Sequence, residues 1–307
     1  MIYETIVVGG GPAAMSAIIY LSRFKRKVAW VFGYSTGGQL QFTEKIENYL
    51  GFTNGEARHL LTSFNEQTSS LEGVDKFFGN VLNASTNHED STFLLETDMG
   101  ESLKGKTVLV ATGAAPRKLG VKGEEKAGVS YCAICDAPFY IDKEVVVVGG
   151  GQSAIENAEI LSRTSKKVTL VHRKDSFSGS AHELDELLKK DNVHLFLNAK
   201  VSSIKGGEKV ERITIEKGPN EHSLRTDAVF VSIGNEPSTD FLKGLNNELP
   251  EKPFLSPEGY IITSSLPLGV FAAGDVVKDR EKQVIIAAGD GAHAAIQIEK
   301  YLQSGKE

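Results

Sequence analysis

Apolar residues in this chain gather in short runs that stop at glycine, and one such arrangement occurs twice. Ile6-Val7-Val8 runs into Gly9-Gly10-Gly11-Pro12-Ala13-Ala14; a helical stretch from Met15 to Phe24 follows, then a second apolar run from Val28 to Phe32. Val145 to Val148 runs into Gly149-Gly150-Gly151-Gln152-Ser153-Ala154. A helical stretch from about Ala154 to Ser162 follows, then Val168 to Val171. A short run that is apolar at nearly every position predicts a strand buried on both faces. Strand, glycine turn, helix and strand in that order form the βαβ unit of a dinucleotide fold.

The two halves also close alike. Phe93-Leu94-Leu95, with Glu96 and Thr97, precedes Thr107-Val108-Leu109-Val110-Ala111-Thr112-Gly113. In the second half Ile213 and Ile215 alternate with Thr214 and Glu216 ahead of Ala228-Val229-Phe230-Val231-Ser232-Ile233-Gly234. An apolar strand ending in glycine suits a buried parallel strand whose main chain approaches a ligand. A third strand, Val270-Phe271-Ala272-Ala273-Gly274-Asp275, ends in an acidic turn before a helix from about Ala287 to Leu302. Residues 241–307 are few for a separate domain and read as the completion of the first. The expected fold is α/β, with two Rossmann-like dinucleotide-binding domains, the second inserted in the first. Residues 1–114 and 241–307 form one domain and 115–240 the other. The crossings lie near 113–118 and 237–244 and carry Pro116 and Pro237.

The 307 residues suffice for two cores, and 40% hydrophobic with 24% charged is ordinary globular composition. A net charge of -6 leaves no basic excess to displace counterions from nucleic acid. The short basic run Arg23, Lys25, Arg26, Lys27 reads as a solvated helix end. No targeting segment precedes the first strand, and no apolar run approaches the roughly 20 residues of a membrane span. The two cysteines stand three positions apart. A secreted disulfide scaffold would have more of them, scattered, so the pair points to redox chemistry in a reducing, cytoplasmic compartment.

A Gly-x-Gly turn lets the main chain approach a pyrophosphate, and the following helix adds N–H donors and a favourable dipole. One such motif can be an ordinary tight turn; two, each between strand and helix, indicate two nucleotides. Gly9, Gly11, Pro12, Ala13 and Ala14 make the first; Gly149, Gly151, Gln152, Ser153 and Ala154 make the second. About 20 residues past each motif an acidic residue would contact a ribose hydroxyl. The first has Phe32-Gly33 there. The second has His172-Arg173-Lys174, whose cations suit a ribose 2′-phosphate and so NADPH over NADH; the alternative is a solvated strand end.

Cys132-Ala133-Ile134-Cys135 followed by Asp136 is the candidate chemical centre. This spacing lets a small disulfide ring form and open, and a helix N-terminus there would favour a thiolate. The adjacent carboxyl can pass a proton to the leaving sulfur. On this reading Cys135, next to Asp136, faces the electron donor, and Cys132 attacks the substrate. The alternatives are half of a zinc site and an inert pair. Zinc needs four ligands; no second cysteine pair exists, and His172 and His182 stand in another context. No metal is expected. His59, His88, His194, His222 and His293 show no ligand or triad spacing and read as structural or solvated.

Taken together, the order of motifs resembles the low-molecular-weight thioredoxin reductases over nearly the whole chain. The likeness is carried by Gly37-Gly38-Gln39-Leu40, Ile46-Glu47-Asn48-Tyr49, Ala111-Thr112-Gly113, Tyr131-Cys132 with the Cys-Ala-Ile-Cys-Asp segment, Gly149 to Ala154, His172-Arg173, Ile233-Gly234-Asn235, and Phe271 to Val276 with Gln283. The resemblance implies FAD in the first domain, NADPH in the second, and a homodimer. It assigns FAD contacts to the Gly9–Ala14 turn, Gln39, Asn48, Asp275 and Gln283. Ala111, Gly113 and Gly274 join them as strand-end positions. It implies electron flow from NADPH through FAD to the Cys132–Cys135 disulfide and on to a thioredoxin-like protein, with domains that rotate about the crossings. The chain departs from the family pattern at four places. The usual His-Arg-Arg reads His172-Arg173-Lys174, and a further usual Arg is Ser178. The usual Arg before Gln283 is Lys282, and a usual acidic residue is Ser35. Relatives without a working pyridine-nucleotide site draw electrons from ferredoxin or another carrier. Such a reductase, a small-molecule dithiol oxidase and a non-enzymatic redox sensor are therefore the competing functions.

Overall fold

A computed structural model describes residues 1–305 apart from 44, 54, 88, 89 and 248–253, so His88 lies outside the described residues. The chain divides into two compact units, 1–115 with 236–307, and 116–235.

The first unit opens with strand β1 (Ile2–Val8), helix α1 (Pro12–Arg23) and β2 (Val28–Val31). The helix starts earlier than the apolar pattern suggests. Pro12 has the fixed φ and missing N–H that suit a first helical position, and Gly11 is the extended cap before it. A short pair, β3 (Lys45–Ile46) and β4 (Gly55–Glu56), leads to α2 (Ala57–Ser69) and β5 (Val74–Phe77). A meander of β6 (Val81–Asn87), β7 (Thr92–Thr97) and β8 (Ser102–Val110) follows, and β9 (Ala114–Pro116) leads out of the unit.

The second unit contains β10 (Val129–Ser130), α3 (Ala133–Asp136), β11 (Glu144–Gly149), α4 (Gln152–Ser162) and β12 (Lys167–Val171). Then come α5 (Ala181–Leu188), β13 (Val193–Phe196), β14 (Lys200–Lys205), β15 (Arg212–Lys217), β16 (Asn220–Arg225) and β17 (Ala228–Ser232). The chain returns along β18 (Asn235–Pro237) to α6 (Lys243–Asn247), β19 (Val270–Ala272) and α7 (Val284–Gln303).

The first unit is built on one sheet in the order β5-β2-β1-β8-β7-β6. Strands β5, β2, β1 and β8 run parallel; β7 is antiparallel to the first half of β8, and β19 pairs in parallel with its last residues. Both faces are covered, which is why β1 is apolar at consecutive positions. Val7 joins Met15, Ile18, Leu21, Trp30, Leu109 and Ile298 on the α1–α7 side. Ile6 and Val8 join Leu95, Val108, Phe241 and Phe254 on the other. Each fully buried large aliphatic side chain contributes about 1.5–3 kcal/mol. The basic run is not uniformly solvated. Arg26 Nη1 donates to Glu4 Oε1 at 2.6 Å, and its Nε and Nη2 donate to the two Glu299 oxygens at 2.7 and 2.9 Å, tying β1 and α7 together.

The second unit has a fully parallel sheet in the order β10-β17-β11-β12-β13, and a separate antiparallel sheet β14-β15-β16. Helices α3 and α4 cover one face of the parallel sheet through Ala133, Ala154, Ile155 and Leu161. Val146, Val148, Val229 and Val231 on the other face pack with Val201, Ile213 and Ile215 of the antiparallel sheet. The expected in–out alternation of β15 is incomplete. It is the central strand of its sheet, and Thr214 is buried with its hydroxyl lacking a hydrogen-bond partner. No helix among the described residues is long and apolar enough to cross a membrane.

Candidate active site

In the first unit, the parallel register sets Val8 beside Val31 and Val110, and Ala272 beside Val110. The segments 9–11, 32–35, 111–113 and 273–275 therefore all leave the carboxyl edge of the sheet, where open α/β sheets bind ligands. The glycine turn is fastened on both sides: Trp30 Nε1 donates to the Gly9 carbonyl at 2.8 Å and the Gly37 N–H to the Gly10 carbonyl at 2.7 Å. Gly9 has φ +129°, and a Cβ there would lie 2.1 Å from the Ala111 carbonyl oxygen. Gly11 differs. Its backbone is extended, at φ -83° and ψ 179°, and an added Cβ would meet nothing nearer than the Gly38 Cα at 3.9 Å. Neither strain nor packing within the protein demands glycine at 11, so the turn is left open at this position.

Gln39 is exposed on the 38–42 turn, next to that mouth. Asn48 Nδ2 donates to Gln283 Oε1 at 3.0 Å, so two residues distant in sequence and assigned to one cofactor meet. Asp275 follows the buried, left-handed Gly274. Burial, opposed by the Lys282 charge and aided by Asp290, pushes its carboxyl up to about 6 from 3.8. Asp290 Oδ2 itself sits 3.3 Å from Arg280 Nε, without hydrogen-bond geometry. A carboxylate held back in this way suits a ligand hydroxyl as donor.

Because the folded chain binds the Asp275 proton more tightly than the unfolded chain does, its stability contribution is lost as pH rises from about 4 through about 6. Asp275→Asn is therefore expected to raise the melting temperature of flavin-free protein at pH 7, by the equivalent of about 1–3 kcal/mol. It should weaken flavin binding about tenfold or more. Calorimetry and flavin fluorescence titration check the two halves; a variant that melts lower and binds flavin normally would contradict both.

The second unit has a turn of the same plan, without the positive φ of Gly9 at Gly149. A Cβ on Gly149 would lie 2.2 Å from the Ser232 carbonyl oxygen, while Gly151 is extended and open, with Ser178 Oγ 3.8 Å from its added Cβ. Gln152 and Ser153 are exposed at the start of α4, and Ala154 is fully buried against Ile155 and Ala158. His172 is not placed as a third cation. Its ring lies directly over Gly150 and meets the Phe177 ring at a tilt, with 5.0 Å between centroids. Burial, helped by Lys174 and Arg173 and opposed by a Ser176 hydrogen bond, lowers its pKa below the ordinary histidine value. Arg173 and Lys174 are exposed and have no ion-pair partner among the described residues. Ser178 is exposed, and its N–H and hydroxyl both donate to the Gly150 carbonyl, at 2.7 and 3.2 Å.

The cysteines sit beyond the carboxyl end of β10, on the same sheet edge as this turn. They form a disulfide with 5.3 Å between Cα atoms, inside the range that bridges without moving the backbone. Cys132 caps α3, and the Cys135 N–H donates to Cys132 Sγ at 3.2 Å. Ser130 Oγ donates to Asp136 Oδ2 at 2.6 Å. On the approach to the pair, Glu124 accepts from the N–H groups of Leu119 and Gly120 at 2.6 and 2.8 Å and from the Tyr131 hydroxyl at 2.8 Å. Burial and that carboxylate raise the Tyr131 pKa. Beside the pair, Ile134 and Phe139 are both exposed, an apolar rim that a protein substrate can cover. Ser130 and Glu124 in the second unit and the Asn48–Gln283 pairing in the first carry no sequence signal; only the folding of each unit brings them into place. No group of His, Cys, Asp and Glu among the described residues is arranged to hold a metal.

The sequence profile of the pyridine nucleotide-disulphide oxidoreductases matches residues 3–291. The thioredoxin reductase of Peptoclostridium acidaminophilum is 35% identical over 324 aligned positions, covering 100% of this chain and 99% of that protein. That of Mycolicibacterium smegmatis is 35% identical, covering 98% and 97%. The crystal structure of thioredoxin reductase from Streptococcus pyogenes superposes with a TM-score of 0.89 at 34% identity, over 99% of each chain.

Proposed function

The chain belongs to the pyridine nucleotide-disulphide oxidoreductase family, and we propose that it works as a thioredoxin reductase with FAD and NADPH. The observation that carries this reading is a redox disulfide and a pyrophosphate turn on one sheet edge of the second unit, with a second such turn in the first unit.

FAD would be held by the Gly9–Ala14 turn, with Gln39, Asn48, Ala111, Gly113, Gly274, Asp275 and Gln283 around it. NADPH would be held by the Gly149–Ala154 turn, with Arg173 and Lys174 on the 2′-phosphate and His172 walling the turn. When bound, the two nucleotides supply an electron pair, which originates as the NADPH hydride. The pair breaks the Cys132–Cys135 bond and leaves two sulfurs, and protons complete the dithiol. Asp136, next to Cys135, is the group that holds and passes a proton. Cys132, whose sulfur already accepts the Cys135 N–H, is favoured as thiolate. It attacks the disulfide of a thioredoxin-like protein, and the partner's leaving sulfur takes a proton. Cys135 then displaces the partner's second sulfur, which restores Cys132–Cys135 and releases the partner as a dithiol. The reading also carries a homodimer in the cytoplasm, which sedimentation and fractionation address.

Anaerobic titration of purified protein with NADPH tests it. The flavin absorbance should bleach, and alkylation should then find both cysteines reduced. Bleaching by reduced ferredoxin alone would transfer the donor role to that carrier.

Ser178 sharpens the donor side. Because its hydroxyl serves the Gly150 carbonyl, two cations rather than three face the 2′-phosphate. Each charge-assisted contact is worth about 1.5–3 kcal/mol, or roughly 10- to 150-fold in affinity. Ser178→Arg is expected to lower KM for NADPH about tenfold or more and to leave KM for NADH nearly unchanged. Steady-state kinetics with both nucleotides decide; equal changes for the two would remove the assignment.

A further inference from the structure

We infer that Ser130 is a positioning residue of the redox centre, its hydroxyl holding the Asp136 carboxylate and the Cys132 main chain in one fixed relation. The inference rests on the proposed role of Asp136 as proton carrier and adds the group that orients it.

Ser130 ends β10 and is almost fully buried, opposite Phe230 of β17 in the parallel register. Its anchor is the sheet, not the redox turn. From there its oxygen makes two bonds of opposite sense. It donates its one proton to Asp136 Oδ2 at 2.6 Å and accepts the Cys132 N–H at 3.1 Å. The Asp136 N–H donates to the Cys132 carbonyl at 3.1 Å and closes the ring from the other side. A third approach, of Ser130 Oγ to the Cys132 carbonyl at 3.4 Å, is long, and the hydroxyl has no second proton for it.

A hydroxyl that donates to a carboxylate favours the ionised form and fixes its rotamer. Asp136 thus accepts from Ser130, with its direction set by the sheet. The other titratable side chains on elements packed against α3 are Glu156 and Glu159 of α4 and Tyr140 of the 137–140 turn. Strand β17, beneath Ser130, contributes none. Serine is also the smallest residue that does both jobs: alanine would keep the fold of β10 but remove donor and acceptor together.

The test compares Ser130→Ala, Ser130→Thr and Asp136→Asn holoenzymes in the reduction of a thioredoxin-like disulfide from pH about 3.5 to 9, a range that includes the ordinary aspartate value of about 3.9, together with flavin content and melting temperature. Asp136→Asn should erase one limb of the pH profile. Ser130→Ala should shift that same limb upward and lower kcat about tenfold, with normal flavin content, and Ser130→Thr should restore both. A purely structural serine would move melting temperature alone, and an unmoved limb in Ser130→Ala would overturn the inference. If Asp136→Asn leaves the limb in place, the proton-carrier reading itself fails and the inference falls with it. Should Ser130→Ala not fold, the pair Ser130→Thr and Ser130→Val, both strand-favouring and differing only in hydroxyl against methyl, carries the same comparison.

Discussion

Cys132→Ser and Cys135→Ser are each expected to lower disulfide reduction about a thousandfold or more, the scale on which removal of a reacting nucleophile acts. The two variants should fail differently. The Cys135 N–H points at Cys132 Sγ at 3.2 Å, so once the disulfide opens, Cys132 keeps a donor aimed at its charge. With Cys135→Ser, Cys132 can still attack a partner disulfide, but nothing displaces it. A mixed disulfide between the two proteins should accumulate and be visible by non-reducing electrophoresis and mass spectrometry. With Cys132→Ser no such adduct should form, while Cys135 is left to face the flavin and give long-wavelength thiolate–flavin absorbance. Adduct formation through Cys135 alone would exchange the roles. Turnover surviving in both variants would remove the disulfide from the reaction.

What the sequence disclosed about this centre follows from the range over which each signal acts. The glycine turns were legible because their demands are local. The chain must reverse between a buried strand and a helix, and both turns set their first glycine against a main-chain carbonyl, Gly9 against that of Ala111 and Gly149 against that of Ser232. The cysteine spacing was legible for the same reason. The apolar pattern places the start of α1 at Met15, three residues late, because glycine and proline mark its beginning and an apolar pattern does not.

Contacts that depend on the closed fold were not legible. His172 reads as a cation beside Arg173, yet its ring is spent on covering Gly150, a neighbour only after β11 and β12 pair. Arg26 reads as solvated until α7 brings Glu299 to it. Ser178 reads as a missing arginine, and only the structure gives it a task, on the Gly150 carbonyl. Thr214 shows the converse limit. A polar residue in an alternating strand is ordinarily outward, yet the Thr214 side chain is buried.

The two glycines of the first turn separate what the fold requires from what the ligand requires. Gly9→Ala would set a methyl 2.1 Å from the Ala111 carbonyl oxygen and 2.5 Å from its carbon, both main-chain atoms that cannot swing away, at φ +129°. Left-handed strain of roughly 1–2 kcal/mol and overpacking of roughly 1–3 kcal/mol take a large share of a typical stability of 5–15 kcal/mol. The expected result is poor soluble yield and a melting temperature many degrees lower, with little flavin retained. Gly11→Ala has neither problem, since φ -83° is open to alanine and the nearest atom is 3.9 Å from the added methyl. That protein should fold, and even gain slightly through its less flexible unfolded chain. It should nevertheless lose flavin affinity by about 5- to 150-fold, from the same roughly 1–3 kcal/mol of overlap transferred to the pyrophosphate. Thermal unfolding of flavin-free protein and flavin fluorescence titration, run on both variants, separate the two effects. If Gly11→Ala binds flavin as the wild type does, the open space at this turn is not a cofactor cradle, because a bound pyrophosphate there would have to touch the methyl.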